Sequence, residues 1–233
     1  MEINIIAEIG LNHLGKEKFL NDYQNTLERK VHGISIQIPD KSKMKPSHQK
    51  YLFTNKQISK FIKSSKKKFK LVGITTSDKE KIDFFSTLNL DFFKVTSGMI
   101  QNYDLINKMN KTKVQKIFLS TGMVTNSELK KIFSKIDCKK INLIHTSFEK
   151  KFKDINFERI QILKKKFNKP VAYGNHSHYR SAIAKSVLFK PDYIFFYVKL
   201  NKKLNYPDDI HAIKLEELNK ILNDIKQKIK KSN

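Results

Sequence analysis

The chain has 233 residues, of which 39% are hydrophobic; it can bury a sizeable core, and its single cysteine, Cys138, excludes a disulfide-stabilised scaffold. The formal net charge is +25, but only three of the 47 basic residues are arginine, the residue that nucleic-acid recognition normally recruits. We therefore attribute the lysine excess to a genome-wide compositional bias; nucleic-acid binding and attraction to anionic surfaces or metabolites are the alternatives. No apolar run approaches the roughly 18 residues of a membrane span, and the N-terminus does not read as a signal peptide, so a cytoplasmic location is predicted.

Short apolar runs alternate with amphipathic helical patterns along the chain. Continuous apolar runs, rather than strict alternation, are typical of parallel strands that are covered on both faces. In chain order, the predicted strands are residues 3–8, 33–38, 70–75, 92–96, 116–120, 141–146, 171–173 and 193–200. The predicted helices are residues 18–30, 56–65, 79–88, 103–110, 127–136, 157–167, 181–188 and 215–230.

This alternation predicts a closed (β/α)8 TIM barrel that occupies residues 1–233 as a single domain. An open doubly wound sheet is less consistent with the chain, which has no glycine-rich dinucleotide or P-loop motif. The segments 77–80 and 125–128 each pair a hydroxyl residue with a glutamate three positions later, which predicts a helix-capping box. The longest irregular segment, residues 39–55, is interpreted as either a lid or an extended loop.

Polar residues collect where the predicted strands end, and in a parallel barrel that is the end that carries the active site. Lys94 lies in an apolar strand, where a buried ammonium group needs an anionic partner. The partner is either an anion of a ligand or a protein carboxylate such as Glu8. Hydroxyls of Thr75, Ser97 and Ser120 could bind the same anion, a pattern that suits a phosphate or a carboxylate.

Histidines follow the first and seventh predicted strands. His176 and His178 are two positions apart, a spacing that a metal ion can use. We interpret His176 as a functional residue, His178 as a surface residue and His13 as a structural residue of the first loop. His178 and His211 are the other histidines that could serve as metal ligands.

Six segments resemble, in order, motifs of the sialic acid synthase (N-acetylneuraminate synthase) family. They are Ala7-Glu8-Ile9-Gly10 with Asn12, His13 and Gly15; Thr75 with Asp78; Lys94-Val95-Thr96-Ser97-Gly98; Ser120-Thr121-Gly122-Met123; Tyr173-Gly174-Asn175-His176; and Leu200-Asn201-Lys202 with Pro207-Asp208. The resemblance implies a carbon–carbon bond-forming transferase of carbohydrate biosynthesis. Such an enzyme adds phosphoenolpyruvate (PEP) to an amino-sugar or related aldehyde and makes a nonulosonate-type 2-keto-3-deoxy acid.

The resemblance also implies roles for individual residues. The phosphate of PEP would be held by Thr75, Lys94, Ser97 and Ser120, and the sugar would lie near Glu8, Gln37 and Asp208. Catalysis would depend on Glu8, Lys94 and His176. His176 would be one of two histidines that bind a divalent metal, manganese or magnesium, which polarises the aldehyde. The partners implied are PEP and the sugar aldehyde, and a homodimer is left open.

The chain departs from the family pattern at several of these positions. Ser35 stands where the family has lysine, Phe195 where it has glutamate, and Tyr197 where it has the second metal histidine. Family members continue into a small antifreeze-like domain, whereas the resemblance here covers the barrel alone. We therefore expect the metal to bind weakly until oxygens of PEP and the sugar complete its coordination. The alternative function is a barrel that binds phosphate-containing metabolites without condensing them.

Overall fold

A computed structural model of the chain describes residues 3–149 and 151–232. Eight parallel strands lie side by side in chain order, and β1 pairs with β8 to close the sheet into a barrel. The strands are β1 Asn4–Gly10, β2 Gly33–Ile38, β3 Leu71–Thr76, β4 Phe92–Val95, β5 Lys116–Ser120, β6 Ile141–Ser147, β7 Val171–Asn175 and β8 Tyr193–Lys199. A short ninth strand, β9 Ile213–Lys214, pairs with the end of β8. The predicted (β/α)8 TIM barrel is therefore confirmed.

Helices connect the strands and cover the outside of the barrel. In the described part of the chain they are α1 Glu17–Leu27, α2 Pro46–Gln49, α3 Asn55–Ser65, α4 Ile82–Ser86, α5 Tyr103–Asn110, α6 Asn126–Phe133, α7 Arg159–Phe167, α8 Ser181–Ser186 and α9 Leu218–Ser232. The irregular segment after β2 holds a 3₁₀ turn, Lys41–Lys43, and the single-turn helix α2. None of the helices between residues 3 and 232 that the structure describes is long and apolar enough to cross a membrane.

Aromatic side chains fill the centre of the barrel. The inner core consists of Ile6, Leu71, Phe92, Phe118, Ile144, Ala172, Tyr193 and Phe195. The ring of Phe118 packs edge-on against Tyr193 and Phe195, each at a centroid distance of 4.9 Å. Gly73 has no side chain where the ring of Phe92 lies, and a Cβ there would overlap that ring. Because the centre is packed in this way, polar groups on the inner face are displaced toward the carboxyl ends of the strands.

The two predicted capping boxes have different outcomes. At α6 the prediction is confirmed: Thr125 Oγ1 accepts from the Glu128 N–H at 3.2 Å, and Glu128 Oε2 accepts from the Thr125 N–H at 2.7 Å. At residues 77–80 the prediction is wrong, since Asp78 Oδ1 accepts instead from the N–H groups of residues 80 and 81, and α4 begins only at residue 82. The Ser77 hydroxyl accepts from the Asp40 N–H at 3.0 Å, so it serves the preceding loop.

Candidate active site at the mouth of the barrel

A buried ion pair occupies the carboxyl-terminal mouth of the barrel. Lys94 Nζ of β4 lies 2.5 Å from Glu8 Oε2 of β1, and both side chains are 3% exposed. Thr75 of β3 is aligned with Lys94, and its hydroxyl donates a long hydrogen bond, 3.4 Å, to Glu8 Oε1. Of the two partners that the sequence left open for Lys94, the protein carboxylate Glu8 is the one that contacts it here.

Hydroxyl groups line the strands on either side of this pair. Thr75 and Ser120 are each 2% exposed, on β3 and β5, the two neighbours of β4. Ser97 starts the turn after β4, and its Oγ accepts from the Gly122 N–H at 3.3 Å, which ties that turn to the loop after β5. The structure thus places all four residues predicted to hold phosphate on three adjacent strands and their loops.

Two further hydroxyls in this region, those of Ser35 on β2 and Thr146 on β6, are buried and have no hydrogen-bond partner among the residues that the structure describes. Ser35 is aligned with Glu8 across the β1–β2 pair. A buried hydroxyl that lacks a partner costs about 1–3 kcal/mol, so such groups indicate a place for a ligand or for water. Gln37, predicted near the sugar, is aligned with Thr75 across the β2–β3 pair and is partly exposed.

The loop between β8 and β9 folds back over the mouth. Its Asp208 Oδ2 accepts from the Leu11 N–H at 3.4 Å, and the Asp208 N–H donates to Asn12 Oδ1 at 3.1 Å. Gly10 has φ +59°, and a side chain there would overlap Asp208 and lie 2.6 Å from Tyr197 Cε1. Burial raises the pKa of Asp208 to about 6; the Leu11 N–H opposes this rise and the charge of Glu8 adds to it.

Two imidazoles meet at the same mouth. The His176 ring lies 4.7 Å from the His211 ring and 5.2 Å from that of Tyr197, centroid to centroid. Burial, followed by the positive charge of Lys94, lowers the pKa of His176 well below its ordinary value and that of His211 to about 4. Both rings are therefore neutral at pH 7, which is the form that binds metals.

The other histidines of these loops behave as the sequence indicated. His178 is exposed and packs on Tyr179, with ring centroids 4.0 Å apart. His13 is buried, and its Nδ1 accepts from the Gly15 N–H at 3.1 Å, which stabilises the loop after β1. Burial lowers the pKa of His13 to about 3.

The residues of the mouth fit a metal only in part. Across residues 3–149 and 151–232, no three histidine, cysteine, aspartate or glutamate side chains are arranged to hold a metal ion. Burial, with Glu8 and Asp208 adding to it, raises the pKa of the Tyr197 phenol well above its ordinary value, so Tyr197 is no substitute for a histidine ligand. His211 Nε2, in contrast, is buried beside His176 and has no hydrogen-bond partner within residues 3–149 and 151–232. The two rings are stacked at an interplanar angle of 25°, however, and the lone pair of an imidazole nitrogen lies in the plane of its ring, so the two imidazoles do not point at one ion in this arrangement.

Two arginines that the sequence analysis did not single out position the loops of the mouth. Arg159 Nη2 donates to the carbonyls of Thr121 and Val124, at 3.1 and 2.6 Å, after β5. Arg180 donates to the carbonyls of His211 and Ala212, at 3.0 and 2.7 Å, after β8. The sequence held one signal for these two residues, because arginine is rare in this lysine-rich chain. The planar guanidinium group of an arginine can donate to two carbonyl oxygens at once.

A closed parallel barrel with its buried polar groups gathered at the carboxyl mouth is the architecture in which TIM-barrel enzymes carry their active sites. Comparison with models of known protein families identifies the family to which this barrel belongs. The chain belongs to the NeuB family, whose sequence model matches residues 20–232.

One relative in sequence and two solved structures illustrate what the chain is similar to. The uncharacterized protein MJ1065 of Methanocaldococcus jannaschii is 29% identical over 237 residues, which span 95% of this chain and 69% of the relative. The crystal structure of the N-acetylneuraminic acid (sialic acid) synthetase of Leptospira borgpetersenii serovar Hardjo-bovis, in complex with citrate, superposes with a TM-score of 0.88 at 23% identity, over 99% of this chain and 85% of that one. The spore coat polysaccharide biosynthesis protein SpsE of Bacillus subtilis superposes with a TM-score of 0.84 at 18% identity, over 97% and 68%. At these identities the two structures show a shared fold.

Proposed function

We propose that this protein condenses PEP with an amino-sugar or related aldehyde, forming a carbon–carbon bond and releasing inorganic phosphate. The observation that carries the proposal is the buried Glu8–Lys94 pair, which lies among hydroxyl groups at the mouth of a NeuB-family barrel. The fold shared with a sialic acid synthetase supports the same class of reaction.

Lys94 is the centre of the proposed phosphate site. A phosphate that enters the mouth competes with Glu8 for Lys94 Nζ, and electrostatic attraction is strong there because Lys94 as a whole residue is only 2% exposed. Thr75, Ser97 and Ser120 then donate hydroxyl hydrogen bonds to the phosphate oxygens, as charge-assisted bonds of the stronger kind. This exchange of partners explains how a lysine that is already paired can still bind an anionic substrate.

Glu8 is the proposed base. Once phosphate has taken both Lys94 and the Thr75 hydroxyl, the Glu8 carboxylate has given up these two partners and can accept a proton from water. The methylene carbon of PEP bonds to the aldehyde carbon, water adds to the resulting cationic carbon of PEP, and phosphate leaves as the ketone forms. The sugar lies near Gln37 and Asp208, and Asp208, with its pKa raised to about 6, can hold a proton for the aldehyde oxygen. A divalent metal held by His176 would supply polarisation of the aldehyde.

Phe195 and Tyr197 favour the second candidate, a barrel that binds phosphate-containing metabolites without condensing them. They remove a carboxylate and an imidazole that the resemblance places on β8. The test is release of inorganic phosphate from PEP with manganese and a panel of amino-sugar aldehydes, with Ser120→Ala and Lys94→Met as variants. Release that requires both PEP and a sugar supports condensation. Tight PEP binding with no release on any sugar supports the second candidate.

A further inference from the structure

Phe148 is the most exposed aromatic residue in the part of the chain that the structure describes. That part holds every phenylalanine and tyrosine, and all the others are buried or half-buried, whereas Phe148 is 47% exposed. A single exposed apolar residue is ordinary in a folded protein, so the position of this ring decides what it means.

The Phe148 ring lies at the mouth of the barrel, beside the candidate site. Side chains alternate along a strand, so Phe148, directly after β6, follows Ile144 and Thr146 on the inner face. Its ring lies edge-on to that of His176, with 5.2 Å between the centroids. It also lies against Gly122 of the loop after β5, where a Cβ would overlap the ring. The ring is therefore part of the wall of the candidate site.

A free hydroxyl and a second apolar side chain belong to the same two strand ends. Thr146, two positions before Phe148, has a buried hydroxyl with no hydrogen-bond partner among the described residues. Met123 follows Gly122 in the loop after the neighbouring strand β5 and is 67% exposed. The loops thus offer apolar surface, and the end of β6 offers a hydroxyl that can donate a hydrogen bond. A substituent that carries both a methyl group and a carbonyl oxygen matches these two features.

We propose that Phe148 and Thr146 determine which aldehyde the site accepts, because together they bind an acylamino group of the sugar. The Phe148 ring packs on the methyl group, and the Thr146 hydroxyl donates to the acyl oxygen. A free amino sugar carries an ammonium group instead, which has neither the apolar surface nor the acceptor oxygen. This inference deepens the proposed function and rests on it for the identity of the aldehyde site.

The experiment measures sugar binding to the full chain by saturation-transfer difference NMR, with inorganic phosphate present and PEP absent. The probes are N-acetylmannosamine and N-acetylglucosamine, each compared with its parent amino sugar. The variants are Phe148→Ala, Phe148→Leu and Thr146→Val, and circular dichroism verifies that each is folded. The matched control is Leu188→Ala, since Leu188 is 46% exposed but lies in the 3₁₀ turn after α8.

We expect the wild type to prefer at least one acetylated sugar over its parent, with the strongest saturation on the methyl protons. Phe148→Ala and Thr146→Val should each reduce that preference about tenfold, the low end for a lost apolar contact in a binding pocket. Phe148→Leu, which keeps an apolar surface, and Leu188→Ala should retain it.

An unchanged preference in folded Phe148→Ala or Thr146→Val overturns the proposal, as does the absence of acetyl-sugar binding at millimolar concentration. A preference for the free amine that Phe148→Leu abolishes indicates a cation–π contact and overturns it too. Because binding is measured without PEP, a failure of condensation and a failure of this subsite are separate results.

Discussion

Removing Lys94 should destabilise the fold strongly, because the change leaves the Glu8 carboxylate buried without a cation. At a distance of 2.5 Å and an effective dielectric constant of about 20, the Coulomb attraction between Glu8 and Lys94 is about 6–7 kcal/mol. Much of this attraction offsets the cost of desolvating the two charged groups. We expect Lys94→Met to lower the free energy of unfolding by about 3–5 kcal/mol, the range for a broken buried pair.

A double-mutant cycle isolates the interaction. Glu8→Gln removes the partner charge, so the double variant Glu8→Gln/Lys94→Met should be less destabilised than the sum of the single changes, with a coupling of at least about 2 kcal/mol. Urea-induced unfolding at pH 7, followed by far-ultraviolet circular dichroism, measures all four proteins.

The matched control is Lys66→Met. Lys66 pairs with Asp91 at 2.8 Å, but those side chains are 27% and 25% exposed, so its loss should cost about 1 kcal/mol or less. If Lys94→Met costs no more than this control and shows no coupling to Glu8→Gln, the buried pair is not a strong interaction and our account of the mouth is wrong.

Three further predictions concern the ligand, pH and packing. Calorimetry should show that Lys94→Met weakens PEP binding by about 2–4 kcal/mol; unchanged affinity would remove Lys94 from the phosphate site. The pKa of His13 is about 3 in the fold against 6.5 in the unfolded chain, so the unfolded state takes up the proton first and stability falls as pH drops below 6.5. His13→Gln should make the dependence of unfolding free energy on pH between pH 6 and 5 shallower by about 1.2 kcal/mol per unit; an unchanged slope contradicts this assignment. Gly73→Ala should lower the stability by about 1–3 kcal/mol in thermal unfolding, since its Cβ overlaps the Phe92 ring, and wild-type stability would show that the ring can move aside.

The fold could be predicted because its signals are local. Each strand is a short apolar run, each helix has its own amphipathic pattern, and regular alternation of the two implies a parallel barrel. The capping box at Thr125 was predicted because it needs only residues three positions apart. The capping box predicted at Ser77 was wrong because the Ser77 hydroxyl and the Asp78 carboxylate compete for the same backbone N–H groups. The Asp78 carboxylate accepts these hydrogen bonds.

Of the candidate site, the sequence could predict only the residues that lie at the ends of the strands. Lys94 was singled out because a lysine within an apolar strand needs an anion, but the choice between Glu8 and a ligand depends on which strands meet across the barrel. The position of the β8–β9 loop over the mouth could not be predicted for the same reason. Leu11 and Asp208 are in contact although 197 positions separate them in the sequence. No local pattern predicts that Arg180 holds the main chain of His211, because that contact exists only after the barrel closes.

The most direct test of the proposed function follows the bridging oxygen of PEP. If water adds to the PEP carbon and phosphate then leaves, the carbon–oxygen bond breaks and the bridging oxygen departs with phosphate. With PEP labelled by ¹⁸O at that position, we predict sugar-dependent release of phosphate that retains the label, seen by phosphorus NMR, together with a product whose mass equals sugar plus PEP plus water minus phosphoric acid. Release of unlabelled phosphate, or release that does not depend on the sugar, would contradict condensation at this site.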